Sequence, residues 1–244
     1  SDKYQSEVEA AGADMTKITI IRLDQAIGNL EIDKASELVE KLSSLSDDKH
    51  IVDGTKVKLF LAKATSAKIN EDSAGFEMNA DKALEIAKKM TSEVPFSELA
   101  WNMLGLAHTT IGQHAEAVPA FEEAWRIAPN NKENLRKYIA SLTMANPDNQ
   151  RLLRLVRLAR DRFPADRHFL TLWLITEQTF GDKGKVIVYR FERYKIHPND
   201  KENALQLAFL LLNTEPDRQH IRKADGSEVY STRNWSQMQK IKRT

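Results

Sequence analysis

Between Glu98 and Asn131 the sequence carries a pattern suited to two helices packed face to face. Trp101, Leu104, Leu106, Ala107 and Ile111 recur at helical spacing, and so do Ala117, Val118, Phe121, Ala124 and Trp125, which makes two amphipathic helices. Gly112-Gln113 breaks between them. Gly105 and Ala117 are small where Trp101 and Phe121 are large, so the spacing predicts a tight antiparallel hairpin. Pro129 ends the second helix, and Asn130-Asn131 supply an N-cap for the next.

The order Trp101, Leu104-Gly105, Ala117, Phe121, Ala124, Pro129 resembles the tetratricopeptide repeat (TPR), whose pattern W-x2-L-G-x2-Y, A-x3-F, P extends over about 34 residues. His108 stands where the family usually has Tyr. The resemblance implies an all-α fold, a right-handed α-solenoid of TPR helical hairpins, acting as a non-catalytic protein-interaction module without a cofactor. It also implies a concave groove, lined by the first helices of successive hairpins, that holds a partner peptide or helix. Carried over to this sequence, the groove residues are Asn102, Leu106 and Thr109, then Asn134, Lys137 and Ser141, then His168, Thr171, Ile175 and Gln178. Leu205 and Phe209 follow in the last helix, where burial against the tail is an equal expectation. Leu106 and Leu172 fall on positions where cochaperone TPRs clamp a C-terminal carboxylate, which argues against that specialisation.

The rest of the chain supplies the remaining hairpins. Residues 1–14 read as a polar lead-in and 15–214 as the solenoid, with hairpins near 15–46, 55–94, 98–131, 133–166 and 167–200 and a helix at 201–213. In the first hairpin Ala35 and Val39 keep the A-x3-F spacing, but no Trp or Gly marks its first helix. Ser43 to Asp53 reads as a polar linker. Lys68 to Asn79 is longer than the two to eight residues usual between packed helices; it reads either as an extended helix end or as a loop, a solvated excursion being preferred to a functional loop. Pro129, Pro164 and Pro198 are 35 and 34 residues apart, and Lys132-Glu133-Asn134 recurs as Lys201-Glu202-Asn203. A turn is expected at Asn146-Pro147-Asp148. The run Ala204 to Leu212 lacks the polar outer face of a terminal cap, so something must cover it. The candidates are residues 215–244, through the capping-box signature Thr214 to Asp217 or a helix with Trp235, Met238 and Ile241, or further repeats, or a second copy docking on 204–212. Asp225-Gly226, flanked by Ile221 and Val229-Tyr230, is a candidate turn of one small β-hairpin.

Composition narrows the chemistry. Thirty-six basic against 35 acidic residues give a net charge of +1, so no global field draws the chain to nucleic acid. No apolar run reaches the length of a transmembrane span. Cysteine is absent, which fits a cytoplasmic and a periplasmic location equally. The chain starts at Ser1 without an initiator Met or a signal-like segment, the expectation for a processed product or an excerpt. Its six histidines show no metal-ligand spacing and no nucleophile motif occurs, so neither a metal nor an enzyme is expected. Arg151, Arg154, Arg157 and Arg160 turn about 60° per step around their helix. They read as a solvated convex face, with a dock for acidic peptide or phosphate as the sharper alternative.

Overall fold

The computed structural model describes residues 14–145, 149–213, 218–222 and 228–232. Among them are eleven helices: α1 (Met15–Gly28), α2 (Ile32–Leu45), α3 (Lys49–Ile69), α4 (Ser73–Glu93), α5 (Glu98–Thr110), α6 (His114–Ile127), α7 (Lys132–Met144), α8 (Asn149–Arg162), α9 (Arg167–Phe180), α10 (Lys183–Ile196) and α11 (Lys201–Asn213). Two strands follow, β1 (Arg218–Arg222) and β2 (Glu228–Thr232). The chain divides into two compact units, Ser1–Leu170 and Thr171–Thr244.

Helix starts are fixed by short polar side chains that accept otherwise unpaired backbone N–H groups. Asp14 caps α1 through Thr16 and Lys17, Asp48 caps α3, Asp72 caps α4, Ser97 caps α5, Asn131 caps α7 and Asp182 caps α10. Three hairpin turns among the described residues of the first unit share one geometry. Leu30, Glu71 and Gly112 take positive φ of 57°, 60° and 78°. The next N–H then reaches a carbonyl five residues back, Glu31 to Ala26, Asp72 to Ala67 and Gln113 to His108, each at 2.9 Å. This is the left-handed C-terminal cap of a helix, and of these three turns the one between α5 and α6 uses glycine for it.

Within the first unit the hairpins stack in chain order. Leu23, Ala26, Ala35, Val39 and Leu59 form one apolar cluster across α1, α2 and α3. Val57, Leu61, Ala83, Ala87, Met90, Ala100, Met103 and Ala107 form another across α3, α4 and α5. Ala35, Ala83 and Ala117, the small residues of three successive second helices, are fully buried, so each hairpin closes around a side chain too small to hold its helices apart.

Two sequence expectations are corrected here. The stretch 68–79 is not a loop but the other alternative, extended helix ends: α3 and α4 are each 21 residues long and only Asn70–Asp72 separates them. Asp72 accepts the Gly75 N–H at 2.9 Å and starts α4 early. The supposed linker 43–53 likewise shrinks to residues 46–48, since Asp48 caps α3 several residues before its first apolar position. The turn expected at 146–148 lies outside the described residues.

In the second unit Trp173 packs edge-on against Tyr189, with ring centroids 5.6 Å apart. Glu177 is fully buried and accepts from Trp173 Nε1 at 3.2 Å and from the Asp182 N–H at 2.9 Å. It ties α9 to the start of α10. Strands β1 and β2 pair antiparallel, with Ile221 opposite Val229. A strand, not a helix, therefore follows the Thr214 to Asp217 signature. That signature, Asp225-Gly226 and the segment with Trp235, Met238 and Ile241 lie outside the described residues.

Candidate partner-binding site

Burial along the chain repeats with the sequence period and sorts the proposed groove residues. Ala100, Asn134, Phe169 and Asn203, spaced by 34, 35 and 34 residues, are all buried. Ala107, Ser141, Thr176 and Leu210 are buried in the same rhythm. Asn134 and Ser141 therefore occupy packing positions, a correction to their assignment as groove contacts. His168, Thr171 and Ile175 are exposed and Gln178 partly so. Their counterparts 35 residues earlier are Glu133, Arg136, Ala140 and Thr143, all accessible to solvent.

Asn102 is corrected too, for a different reason. It has the groove phase, yet its amide turns inward and it is only 5% exposed. Asn102 Nδ2 donates to Asn134 Oδ1 at 2.9 Å and to the Glu98 carbonyl at 3.1 Å. Asn134 Nδ2 donates to Glu98 Oε1 at 2.8 Å and to the Ala124 carbonyl at 3.1 Å, and Asn131 Nδ2 reaches the same Glu98 oxygen at 2.6 Å. Every amide in this bridge has a partner, as burial demands, so α5, α6 and α7 are stapled together. The bridge carries Lys137 at its edge, where Lys137 Nζ donates to Asn102 Oδ1 at 3.2 Å. Burial pushes the Lys137 ammonium below the usual lysine range; Glu133 opposes this, Lys58 adds to it, and Glu98 opposes it.

The next contact along the first helices is more strongly charged. Asp166, which also accepts the His168 N–H at 3.0 Å, receives Arg136 Nη2 at 2.7 Å and Lys132 Nζ at 3.3 Å. The Arg136 guanidinium stands 5.6 Å from the centre of the Phe169 ring. Burial raises the Asp166 carboxyl pKa, but the hydrogen bonds from Arg136, Lys132 and the His168 backbone outweigh it and hold it at about 2. Lys132, Arg136, Phe163, Asp166 and His168 line a cleft of about 510 Å³.

One contact ties the sequence pattern to the fold. A Cβ on Gly105 would lie 2.6 Å from Phe121 Cε1 and within 2.8 Å of two more ring carbons, so α5 and α6 meet where the sequence pattern puts its glycine and its aromatic residue. The fold is TPR-like. No family model matches the sequence, and no curated protein matches it. Among solved structures the chain is similar to a thermophilic TPR protein of Thermus thermophilus, at 12% identity over 81% of this chain and 99% of that one, with a TM-score of 0.49. It is also similar to a mutant of MamA, at 12% identity over 80% of this chain and 99% of that one, with a TM-score of 0.45.

On this TPR-like frame the remaining candidates fall as follows. Leu106 is half-buried and Thr109 exposed, its hydroxyl returned to the Gly105 carbonyl at 2.8 Å. Leu205 and Phe209 are 70% and 56% exposed, and most of the tail expected as their alternative cover lies outside the described residues. Within 204–212, Leu207 and Leu210 are buried while Leu212 is open.

The arginine face is part paired and part open to solvent. Arg151 Nη2 donates to both Glu122 oxygens at 3.0 Å and to the Tyr138 hydroxyl at 2.6 Å, and Arg160 pairs with Asp161 at 3.6 Å. Arg157 is half-buried, whereas Arg154 is exposed. Sequence reasoning missed Arg136, Lys58 and Glu98. Stepping the repeat interval from Thr171 back to Arg136 would have found the first. Among the described residues no group of three or more His, Asp or Glu could hold a metal ion, and no helix is long and apolar enough to cross a membrane.

Proposed function

We propose that the protein is a non-catalytic interaction module that binds a partner peptide or helix along the first-helix face of its first unit, over Leu106, Thr109, Arg136, Lys137 and Ala140. The observation that carries this reading is the setting of Lys137. Its half-buried ammonium is held by a neutral amide oxygen with Lys58 close enough to repel it. A carbonyl or carboxylate from an extended partner would complete its coordination, and Leu106 offers the apolar contact that fixes register. The test is capture from native lysate with Thr109→Glu/Lys137→Glu against Glu85→Lys, an exposed site on the second helix α4. Loss of the captured protein with the first variant and retention with the second supports the groove. The opposite pattern places the partner on the outer face and refutes it.

A second reading has its own observation. Leu205, Phe209 and Leu212 are exposed along α11, an apolar face suited to assembly with another subunit or a copy of the chain. Leu212→Glu separates this reading from the first. It abolishes association if α11 is the contact and leaves peptide binding at Lys137 intact.

A further inference from the structure

The net charge of +1 conceals a separation of charge within the first unit. Residues 14–48, which make up the α1/α2 hairpin with its cap and linker, hold eight acidic and four basic residues. Residues 132–170, which make up α7, α8 and the start of α9, hold nine basic and four acidic residues. Hairpins in this unit pack on their neighbours in chain order, α1/α2 against α3 and α7/α8 against α6. The acidic and basic groups therefore occupy opposite ends of one body.

Each end presents its charge on an open stripe of a second helix. On α2, Asp33, Glu37 and Glu40 follow one another at i, i+4 and i+7, all exposed. On α8, Arg154, Leu158 and Arg162 follow at i, i+4 and i+8, all exposed, with Leu158 at 41%. Apolar side chains accompany both ends: Ile21 on α1 is 58% exposed, and Met144 at the end of α7 is 64% exposed. Exposed apolar side chains together with charge are what a protein interface is built from, and here the two ends carry charge of opposite sign.

We propose that the first unit associates head to tail with a second copy of the chain, the α2 face of one molecule docking on the α8 face of the next. The two faces differ, so the contact is heterologous and each bound copy leaves one acidic and one basic face free to continue the array. Opposite charge steers the approach and sets the polarity. Ile21, Leu158 and Met144 supply the surface that is dried.

Sedimentation velocity of the full chain tests this without any variant. At about 0.01 M ionic strength, where charges act over roughly 30 Å, the mass should rise with protein concentration above the 27.8 kDa of one chain. At about 1 M, where the range is roughly 3 Å, association should weaken at least tenfold. Asp33→Lys/Glu37→Lys/Glu40→Lys and Arg154→Glu/Arg162→Glu should each remain single chains on their own. An equimolar mixture of the two should associate again, because each then offers the face the other needs. A wild-type chain that stays at 27.8 kDa at low salt overturns the proposal. So does association indifferent to salt, which would point to the apolar α11 face, or a mixture that remains dissociated. Each variant's helical circular dichroism is compared with wild type, and Arg154→Gln/Arg162→Gln, which only removes charge, should weaken association in the same direction.

Discussion

Replacing Gly105 by alanine brings two opposed effects into one position. Alanine favours a helix over glycine by about 1 kcal/mol, so at an open helical site the change would stabilise. At Gly105 the new Cβ meets Phe121 Cε1 at 2.6 Å, where ordinary contact begins at 3.4 Å, so the ring has to retreat by roughly 0.8 Å. Phe121 is 3% exposed, so its ring is enclosed by neighbours that must shift with it. Overpacking of this kind costs about 1 to 3 kcal/mol, which exceeds or at least cancels the helical gain. The expected net effect is a loss of up to about 2 kcal/mol. In a Phe121→Val background every ring atom that the Cβ would strike is gone, and Gly105→Ala should then stabilise by about 1 kcal/mol. Chemical unfolding of the four proteins, followed by far-ultraviolet circular dichroism, gives the coupling between the sites. A coupling below about 0.5 kcal/mol, the limit for independent sites, would show that α5 and α6 do not close on this contact.

Other expectations follow from single features. Gly112→Ala should destabilise by about 1 to 2 kcal/mol, since a φ of 78° is costly for an L side chain and no neighbour lies within 4 Å to add a steric term; thermal unfolding measures it. Glu71→Gly relieves the same conformation at 60° and should shift the midpoint the other way, by under about 1 kcal/mol. Asp166 has a folded pKa of about 2 against an ordinary 3.8. Its stabilising contribution is therefore complete above about pH 4 and is lost as pH falls toward about 2. An unfolding midpoint followed through that range should decline less steeply in Asp166→Asn. Glu177→Leu leaves the Trp173 indole N–H and the Asp182 N–H short of a buried acceptor. It should cost about 1 to 3 kcal/mol, read as a lower unfolding midpoint without loss of α1–α8 helicity.

The helical repeat was legible because its signal is steric and local. Trp101, Gly105, Ala117 and Phe121 state which residues must touch, and Phe121 does lie against Gly105. Helix lengths were less legible where the apolar stripe is weak. The first turns of α3 and α4 start from Asp48 and Asp72, which act through one or two hydrogen bonds and leave no periodic trace. The groove was misread at Asn102, Asn134 and Ser141 because polarity was taken as exposure. Two asparagines that satisfy one another are stable inside a protein, and a single sequence does not say that they face each other. The interval of 34 and 35 residues did contain the answer for Asn134, since it stands one and two periods from buried Ala100 and Asn203 respectively.

The Asn102–Asn134–Glu98 bridge limits how freely this repeat array can be rearranged. Apolar faces between hairpins tolerate substitution and small slips so long as volume is kept, and α1 to α5 meet mainly through such faces. The joint between α5/α6 and α7 instead fits like a key, for each amide needs its own counterpart at hydrogen-bonding distance. A duplicated or transplanted hairpin inserted at that joint would strand Asn102 on one side and Asn134 on the other, each buried with an unmet donor. The third and fourth hairpins thus form a keyed pair, and lengthening of the array is easier on the α1 side of that pair than within it.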